Sequence, residues 1–280
     1  MSEAIEQPAK QTLVLGGNGK TGSRVLQRLS ERGWPVRIGS RSGEPRFDWE
    51  DTATWKTALT DIEAVYISFQ PDLAVPGAVE TIRSFVETAV KTGVRKLVLL
   101  SGRGEPEAEE CERVVMDSGT DWTILRASWF SQNFSESYLL EPVLAGYVAL
   151  PVGAIGEPFI DVEDIADVAA AALTEETHNG QLYELTGPRL LTFEEAVNEI
   201  AAETGRPIHY EAISMADYAS TLAAYGVPGE FVALLKYLFI EVLDGRNASV
   251  ADGVERALGR KPADFADYVR RTAATGVWGK

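Results

Sequence analysis

The amino-acid sequence predicts an α/β protein built on a doubly wound parallel sheet, and three observations carry that expectation. Short apolar runs recur through the first half, at "TLVLG", "PVRIGS", "AVYISF", "KLVLLSG" and "DWTILRA". They are apolar at successive positions, as strands covered by helices on both faces must be. Between them lie segments of helical length and spacing, at 20–32, 76–92 and 106–118. The first run passes into the first helix through three glycines spaced three apart, Gly16, Gly19 and Gly22. Repeated strand–helix–strand units of this kind wind into a Rossmann-like sheet.

The later elements follow in order. "PFIDVEDIADVAAAAL" reads as a strand and a helix, with Asp161 at the N-cap and an alanine run behind it. "GQLYELTG" reads as another strand. After Gly187 the texture changes. "LTFEEAVNEIAAETG" is a helix with a capping box, Thr192 followed three residues later by Glu195. "RPIHYEAIS" is a strand, and helices rich in Tyr, Phe and Leu run to the end. The expected organisation is a nucleotide-binding domain over 8–186 and a smaller, mainly helical C-terminal lobe over 187–280. The segment 127–157, with Trp129, Phe130, Phe134 and Tyr138 close together, contributes to the substrate pocket.

Composition narrows the function. Of 280 residues, 45% are hydrophobic and 24% charged, and the formal net charge is −16. That balance opposes sequence-independent nucleic-acid binding and docking on an anionic membrane, both of which need clustered Lys and Arg. One cysteine, Cys111, excludes an intramolecular disulfide. The N-terminal "MSEAIEQPAKQ" is polar and has no signal-peptide core. The longest apolar stretch, "FVALLKYLFIEVL", is broken by Lys236 and Glu241. These features predict a cytoplasmic protein; the partners to expect are a small-molecule substrate and, at most, a second copy of the chain in a homodimer, an oligomeric state that the sequence itself does not give.

The glycine trio has a use beyond turning the chain. In such a turn the first glycine allows the bend, the second lets the backbone approach a pyrophosphate, and the third lets helix pack on strand. The helix N-terminus then offers N–H groups and a partial positive charge to the anion. The bland alternative is a tight turn kept for packing; the position after a buried first strand favours a dinucleotide. An NAD enzyme usually has an acid about 20 residues on, for the ribose hydroxyl. Here the second strand ends in Ser40, Arg41 and Ser42. A guanidinium with two hydroxyls suits a 2′-phosphate, so the expected cofactor is NADP(H).

Six segments share a pattern: "GGNGKTG", "RFDWEDTATWKTAL", "KLVLLSGRG", "DWTILRASWFSQNF", "FIDVEDIADVAAAAL" and "YELTGPRLLTFEEA". In these the sequence resembles the atypical short-chain dehydrogenase/reductases of the NmrA-like group, over nearly its whole length. Within that group it is most similar to the branch related to the ergot-alkaloid reductases of agroclavine dehydrogenase type. The resemblance implies that Gly16, Asn18, Gly19, Lys20, Thr21 and Gly22 line the diphosphate, and that Arg41 meets the adenosine phosphate. It further implies that Asp48 and Trp49 border the adenine and that Ser68, Phe69 and Gln70 pass under the ribose. Ser101, ending a strand that the family pattern numbers fifth, is implied beside the nicotinamide. Residues 127–130, with Trp129 and Phe130, cover its other side. Ser101, Trp129 and Phe130 are thus the candidate reaction-site residues. One departure stands out. Reductases of this kind carry Tyr-x-x-x-Lys on the following helix, but "EPEAEECERVVMDSG" contains no Tyr, His or Lys.

Other candidates have plainer explanations. The acids Glu105, Glu107, Glu109, Glu110 and Glu112 read as a solvated helix start that complements the macrodipole. Of these, Glu109 or Glu112 is placed to face a pocket as a proton donor. His178 and His209 are read as structural, and no metal site is expected. Arg126 is equally a structural ion pair or a substrate contact. Trp129, Phe130 and Phe134 are expected to form a pocket wall. Tyr218, Tyr225, Phe231, Tyr237 and Phe239 either close it or are core. Two functional classes follow. The first is an NADP(H)-dependent reductase of an apolar, iminium or enone substrate, marked by a sizeable pocket. The second is a non-catalytic NADP(H)-binding regulator, marked by a filled pocket and an exposed apolar patch on the C-terminal helices. The aromatic lining favours the reductase.

Overall fold

The computed structural model describes residues 11–279. The N-terminal stretch, with the first residues of the expected 8–186 domain, lies outside the described residues, as does Lys280. Six parallel strands form one sheet: β1 (Gln11–Leu15), β2 (Val36–Gly39), β3 (Ile62–Ile67), β4 (Lys96–Gly102), β5 (Asp121–Ala127) and β7 (Gln181–Leu185), in the order β2-β1-β3-β4-β5-β7. The "KLVLLSG" strand is therefore the fourth of the chain, not the fifth. The helices α1 (Lys20–Glu31) and α7 (Val162–Thr174) cover one face, and α3 (Ala78–Thr92) and α4 (Pro106–Met116) cover the other.

Double coverage explains the continuous apolar runs. Leu13 and Leu15 of β1 face the α3–α4 layer beside Phe85 and Val115, while Val14 between them faces Val25, Leu29 and Ala169 of α1 and α7. Successive strand side chains point to opposite faces, so every position must be apolar when both faces are buried. The alanines of α7 allow α1 to lie close, and Arg24–Glu163 (2.6 Å) and Arg28–Asp167 (2.7 Å) tie the two helices. Asp161 caps α7 by accepting from the Glu163 N–H. Its expected preceding strand is only a single bridge between Phe130 and Ile160.

Between β2 and β3 the chain makes a turn and the short helix α2 (Trp55–Ala58). Trp49 and Trp55 pack there against Phe47 and Phe85. The chain leaves β1 toward β2 on one side and β3 toward β4 on the other. The crevice beyond the carboxyl ends of β1 and β3 is thus the topological switch point, where open α/β sheets bind ligands.

A second core gathers Phe134, Val143 and Val148 with Phe193, Ile200, Phe239, Phe265 and Trp278. It contains α5 (Asn133–Glu136), α6 (Leu140–Ala145), β6 (Tyr147–Leu150), α8 (Phe193–Thr204), β8 (His209–Ala212) and three further helices, α9 (Met215–Ala224), α10 (Gly229–Tyr237) and α12 (Phe265–Ala274), whereas α11 (Gly253–Leu258) packs through Val254 on the main sheet beside α7 and β7. The Thr192–Glu195 capping box forms at the start of α8. β8 pairs in parallel with β6, a strand that no sequence pattern announces. No described helix is long and apolar enough to cross a membrane.

Candidate cofactor and substrate site

The glycine loop separates into two roles. Gly16 has φ of +66°, a left-handed conformation that glycine adopts at no steric cost. A Cβ on Gly22 would lie 2.2 Å from the Gly16 carbonyl oxygen, so both are fixed by the fold of the turn. Gly19 differs: its backbone is extended, and a Cβ there would meet protein no closer than 3.2 Å. Gly19 is the N-cap of α1, and no side chain caps that helix. Among the described helices of eight residues or more, α1 alone has no acid in its first turn. Unclaimed N–H groups and no opposing acid are what an anion requires.

Beyond this loop lies a cavity of about 340 Å3. It is bounded by Gly19, Lys20 and Thr21 of α1, by Ser68, Phe69 and Gln70 after β3, by Ser101 and Gly102 at the end of β4, by Trp129 and Phe130 after β5, and by α10. Gly16, Asn18, Gly22, Arg41, Asp48 and Trp49 do not line it; they sit along the same sheet edge, past β1 and β2. Arg41 is exposed, and none of the described ion pairs includes it. Asp48 is engaged locally, accepting from Arg46 at 2.6 Å, and its carbonyl accepts from the Trp55 indole at 2.7 Å. Lys20 donates to Asn133 Oδ1 at 3.0 Å. Burial, reinforced by Arg24 and opposed by Glu136, holds its ammonium below the usual lysine range.

The aromatic wall is smaller than expected. Trp129 and Phe130 line the cavity, and Trp129 is braced by Phe193 and Phe239 at centroid distances of 5.4 and 5.1 Å. Phe134 is fully buried against Phe159, Phe193 and Phe265 and is core, not wall. Of the C-terminal aromatics only Phe231 reaches the cavity. Tyr218 and Phe239 are core, Tyr225 is exposed, and Tyr237 donates to Glu107 Oε2 at 2.7 Å. Tyr138 contributes to the cavity lining, but its hydroxyl is buried and has no hydrogen-bond partner among the described residues.

Ser101, Arg126 and Glu184 stand side by side on β4, β5 and β7. Ser101 donates to Glu112 Oε1 at 2.6 Å, and Arg126 grips both oxygens of the same carboxylate. The Ser101 hydroxyl is therefore held by a neighbour rather than free. Arg126 does not line the cavity; its bond to Glu112 raises its already high pKa. Glu112 does not face the cavity, and Glu109 and Glu110 are far more exposed. The acid that does face it is Glu105, 7% exposed and beside Asp72. Burial first, then Asp72, pushes the Glu105 carboxyl well above the usual carboxylate range; burial raises Asp72 as well. No cluster of His, Cys, Asp and Glu able to hold a metal occurs among the described residues.

Glu157, which no motif indicates, lies 1% exposed and accepts the backbone N–H of Trp129 at 3.4 Å. Burial raises its carboxyl to about 7, offset in part by that N–H and by Arg103. The folded value exceeds the ordinary 4.5, so the stability it contributes is complete below about pH 4.5 and lost as pH rises through about 7. Glu157→Gln is expected to remove up to about 3 kcal/mol of the fall in folding stability across that window. Urea unfolding at several pH values measures it; an unchanged pH slope would assign the titration to other carboxyls.

Fold and loop are those of a dinucleotide-binding α/β protein, with a cavity at the sheet edge. A family model described as NAD(P)H-binding matches residues 16–176. Agroclavine dehydrogenase of Claviceps fusiformis is 32% identical, across 92% of this chain and 95% of its own. Prestalk A differentiation protein A of Dictyostelium discoideum is 26% identical, across 97% and 95%. An NADPH-dependent quinone oxidoreductase from Escherichia coli, solved with NADPH, superposes with a TM-score of 0.78 at 22% identity, covering 93% of this chain and 99% of its own. The chain belongs to the NAD(P)H-binding family. It is an NAD(P)H-dependent oxidoreductase, related to the agroclavine and festuclavine dehydrogenases.

Proposed function

We propose that the chain is an NADP(H)-dependent reductase of a small, largely apolar or cationic electrophile such as an iminium or an activated enone. The observation that carries this is the cavity between the glycine loop and the Trp129–Phe130 wall, large enough for a small substrate and mostly apolar. In this reading Gly16, Asn18, Gly19, Lys20, Thr21 and Gly22 hold the diphosphate. Asp48 and Trp49 border the adenine, Ser68, Phe69 and Gln70 the ribose, and Ser101 the nicotinamide. The bound cofactor supplies hydride. The protein orients the acceptor and keeps water away, with Trp129 and Phe130 as the covering wall. An aromatic wall also attracts a cation. α4 offers no Tyr or Lys in its sequence, which suits electrophiles that need little help from a proton donor. We further place the protein in the cytoplasm, where its one buried cysteine stays reduced, as a homodimer without nucleic-acid or membrane partners, with the lobe boundary near residue 187.

The test is a screen of cyclic iminium, enone and quinone compounds, following loss of nicotinamide absorbance. Turnover of at least one class is expected. No turnover in any, with NADPH still bound, would favour the non-catalytic regulator, for which the exposed Tyr225 and Ile240 would form part of a partner surface.

Cofactor choice is tested separately. The exposed Arg41, in no ion pair among the described residues, predicts that NADPH binds at least about tenfold tighter than NADH, since a charge-assisted phosphate contact is worth more than about 1.4 kcal/mol. Arg41→Ala is expected to bring the ratio close to one by calorimetry. Equal affinities in the wild type would overturn the assignment.

A further inference from the structure

We propose that Glu105 and Asp72 form a proton-holding carboxyl pair in the reaction cavity, with Glu105 as the general acid that stands in for the missing tyrosine. The proposal rests on the reductase reading and extends its substrate class to acceptors whose reduction needs a proton.

Local geometry sends Glu105 inward. It precedes Pro106, which opens α4, and its backbone is extended at φ −107° and ψ 106°. A side chain at an N-cap commonly folds forward over the first turn, but Glu105 makes no capping bond. It turns back over Gly102 instead. A Cβ on Gly102 would lie 2.2 Å from Glu105 Oε1, so the glycine at the end of β4 is what admits the carboxyl to the sheet edge. Asp72 approaches from the segment after β3, held by the Ala74 N–H at 2.9 Å, and shares the cavity lining with Glu105. Two neighbouring buried carboxyls relieve their mutual repulsion when one of them holds a proton.

Both line the cavity alongside Ser101, and none of the described ion pairs includes either. Solvated acids at a helix start behave otherwise: Glu110 is 58% exposed on its side chain and Glu109 43%. The cavity wall thus carries a buried carboxyl pair that no cation of the described ion pairs neutralises, suited to a substrate oxygen or nitrogen. The charged and titratable groups around Glu105 are Asp72, Glu107 and Glu112, with Lys20 and Arg103 as cations of the cavity wall and Tyr237 acting through Glu107.

Reduction of C=O or N=N adds hydride at one atom, which a nicotinamide supplies when bound, and a proton at the other. The Glu105 O–H bond breaks, its proton goes to the substrate heteroatom, and the electron pair of the reduced π bond becomes the new heteroatom–hydrogen bond. The pair is left as two carboxylates and regains its proton from water. An iminium needs no such proton.

The experiment has two arms. Infrared spectroscopy of the cofactor-free protein at neutral pH is expected to show a carboxylic-acid carbonyl band that Glu105→Gln removes and Asp72→Asn alters. In the presence of NADPH, the ratio of kcat/KM for a quinone to that for a preformed cyclic iminium is expected to fall about hundredfold in Glu105→Gln. In the wild type the quinone rate should decline as pH rises through the upper titration of the pair, and Glu105→Gln should abolish that decline. Circular dichroism and NADPH affinity establish that the variant is folded. No loss of the band, or equal slowing of both substrates, would overturn the proposal. No turnover of either substrate by the wild type would overturn the reductase reading and the donation step, while the band would still decide whether the pair holds a proton.

Discussion

Gly19→Val is expected to weaken NADPH binding by at least about hundredfold while leaving the fold intact. The first half of that expectation comes from the uncapped start of α1. Gly19 caps α1 with no side chain over it, and the first-turn N–H groups are left for an anion. A valine side chain would fill the space that a diphosphate needs for close approach. Losing one or two charge-assisted hydrogen bonds costs about 1.5–3 kcal/mol each, and each 1.4 kcal/mol is about tenfold in affinity. The second half comes from the backbone. Gly19 has φ −89° and ψ 175°, a region that valine favours, and its Cβ would need the Gly16 oxygen at 3.2 Å to yield only slightly. Gly22→Ala is the contrast. Its Cβ would lie 2.2 Å from that same oxygen, so the turn itself must deform, and the thermal midpoint should fall along with affinity. Calorimetry and thermal unfolding on both variants separate the roles. Normal NADPH binding by Gly19→Val would reduce the loop to a packing turn.

That contrast also shows what could be read from the sequence. The glycine turn is local, and its roles follow from spacing and from the strand before it. The sheet was equally legible, because burial on both faces forces runs such as "LVL" and "KLVLL" whatever their partners. What escaped depends on contacts distant along the chain. β6 is four residues whose register is set by β8, some sixty residues later. Phe134 and Trp129 look alike in sequence, yet the first points into the second core and the second into the cavity. Glu105 is indistinguishable in sequence from its acidic neighbours, because an acid at a helix start reads the same whether solvated or buried. Only the space above Gly102 and the arrival of Asp72 distinguish it, and Gly102 beside Glu105 was the one local hint. The motif also placed Ser101 by the cofactor without revealing that Glu112 already holds its hydroxyl.

The same neighbour decides the role of Arg126, which sequence left open between ion pair and substrate contact. Arg126→Met is expected to destabilise the protein by about 3–5 kcal/mol, because it strands the Glu112 carboxylate in the interior. Glu112 is 2% exposed on its side chain, and Arg126 reaches it twice, through Nε at 2.9 Å and through the second nitrogen of a bidentate grip. What remains to Glu112 after the substitution is the Ser101 hydroxyl, too little to offset a buried charge. Glu112→Gln alone should cost less, since Arg126 is 17% exposed and keeps Glu184 at 3.5 Å and Glu109 at 3.8 Å. The double variant should recover much of the loss, a coupling that urea unfolding of the full cycle measures. A cost below about 1 kcal/mol for Arg126→Met would mean that the pair is dispensable to folding and would return Arg126 to the candidates for ligand contact. The expected result instead makes Ser101–Glu112–Arg126 a rigid polar brace behind the cavity. It fixes the end of β4, and with it Gly102, on whose missing side chain the inward path of Glu105 depends.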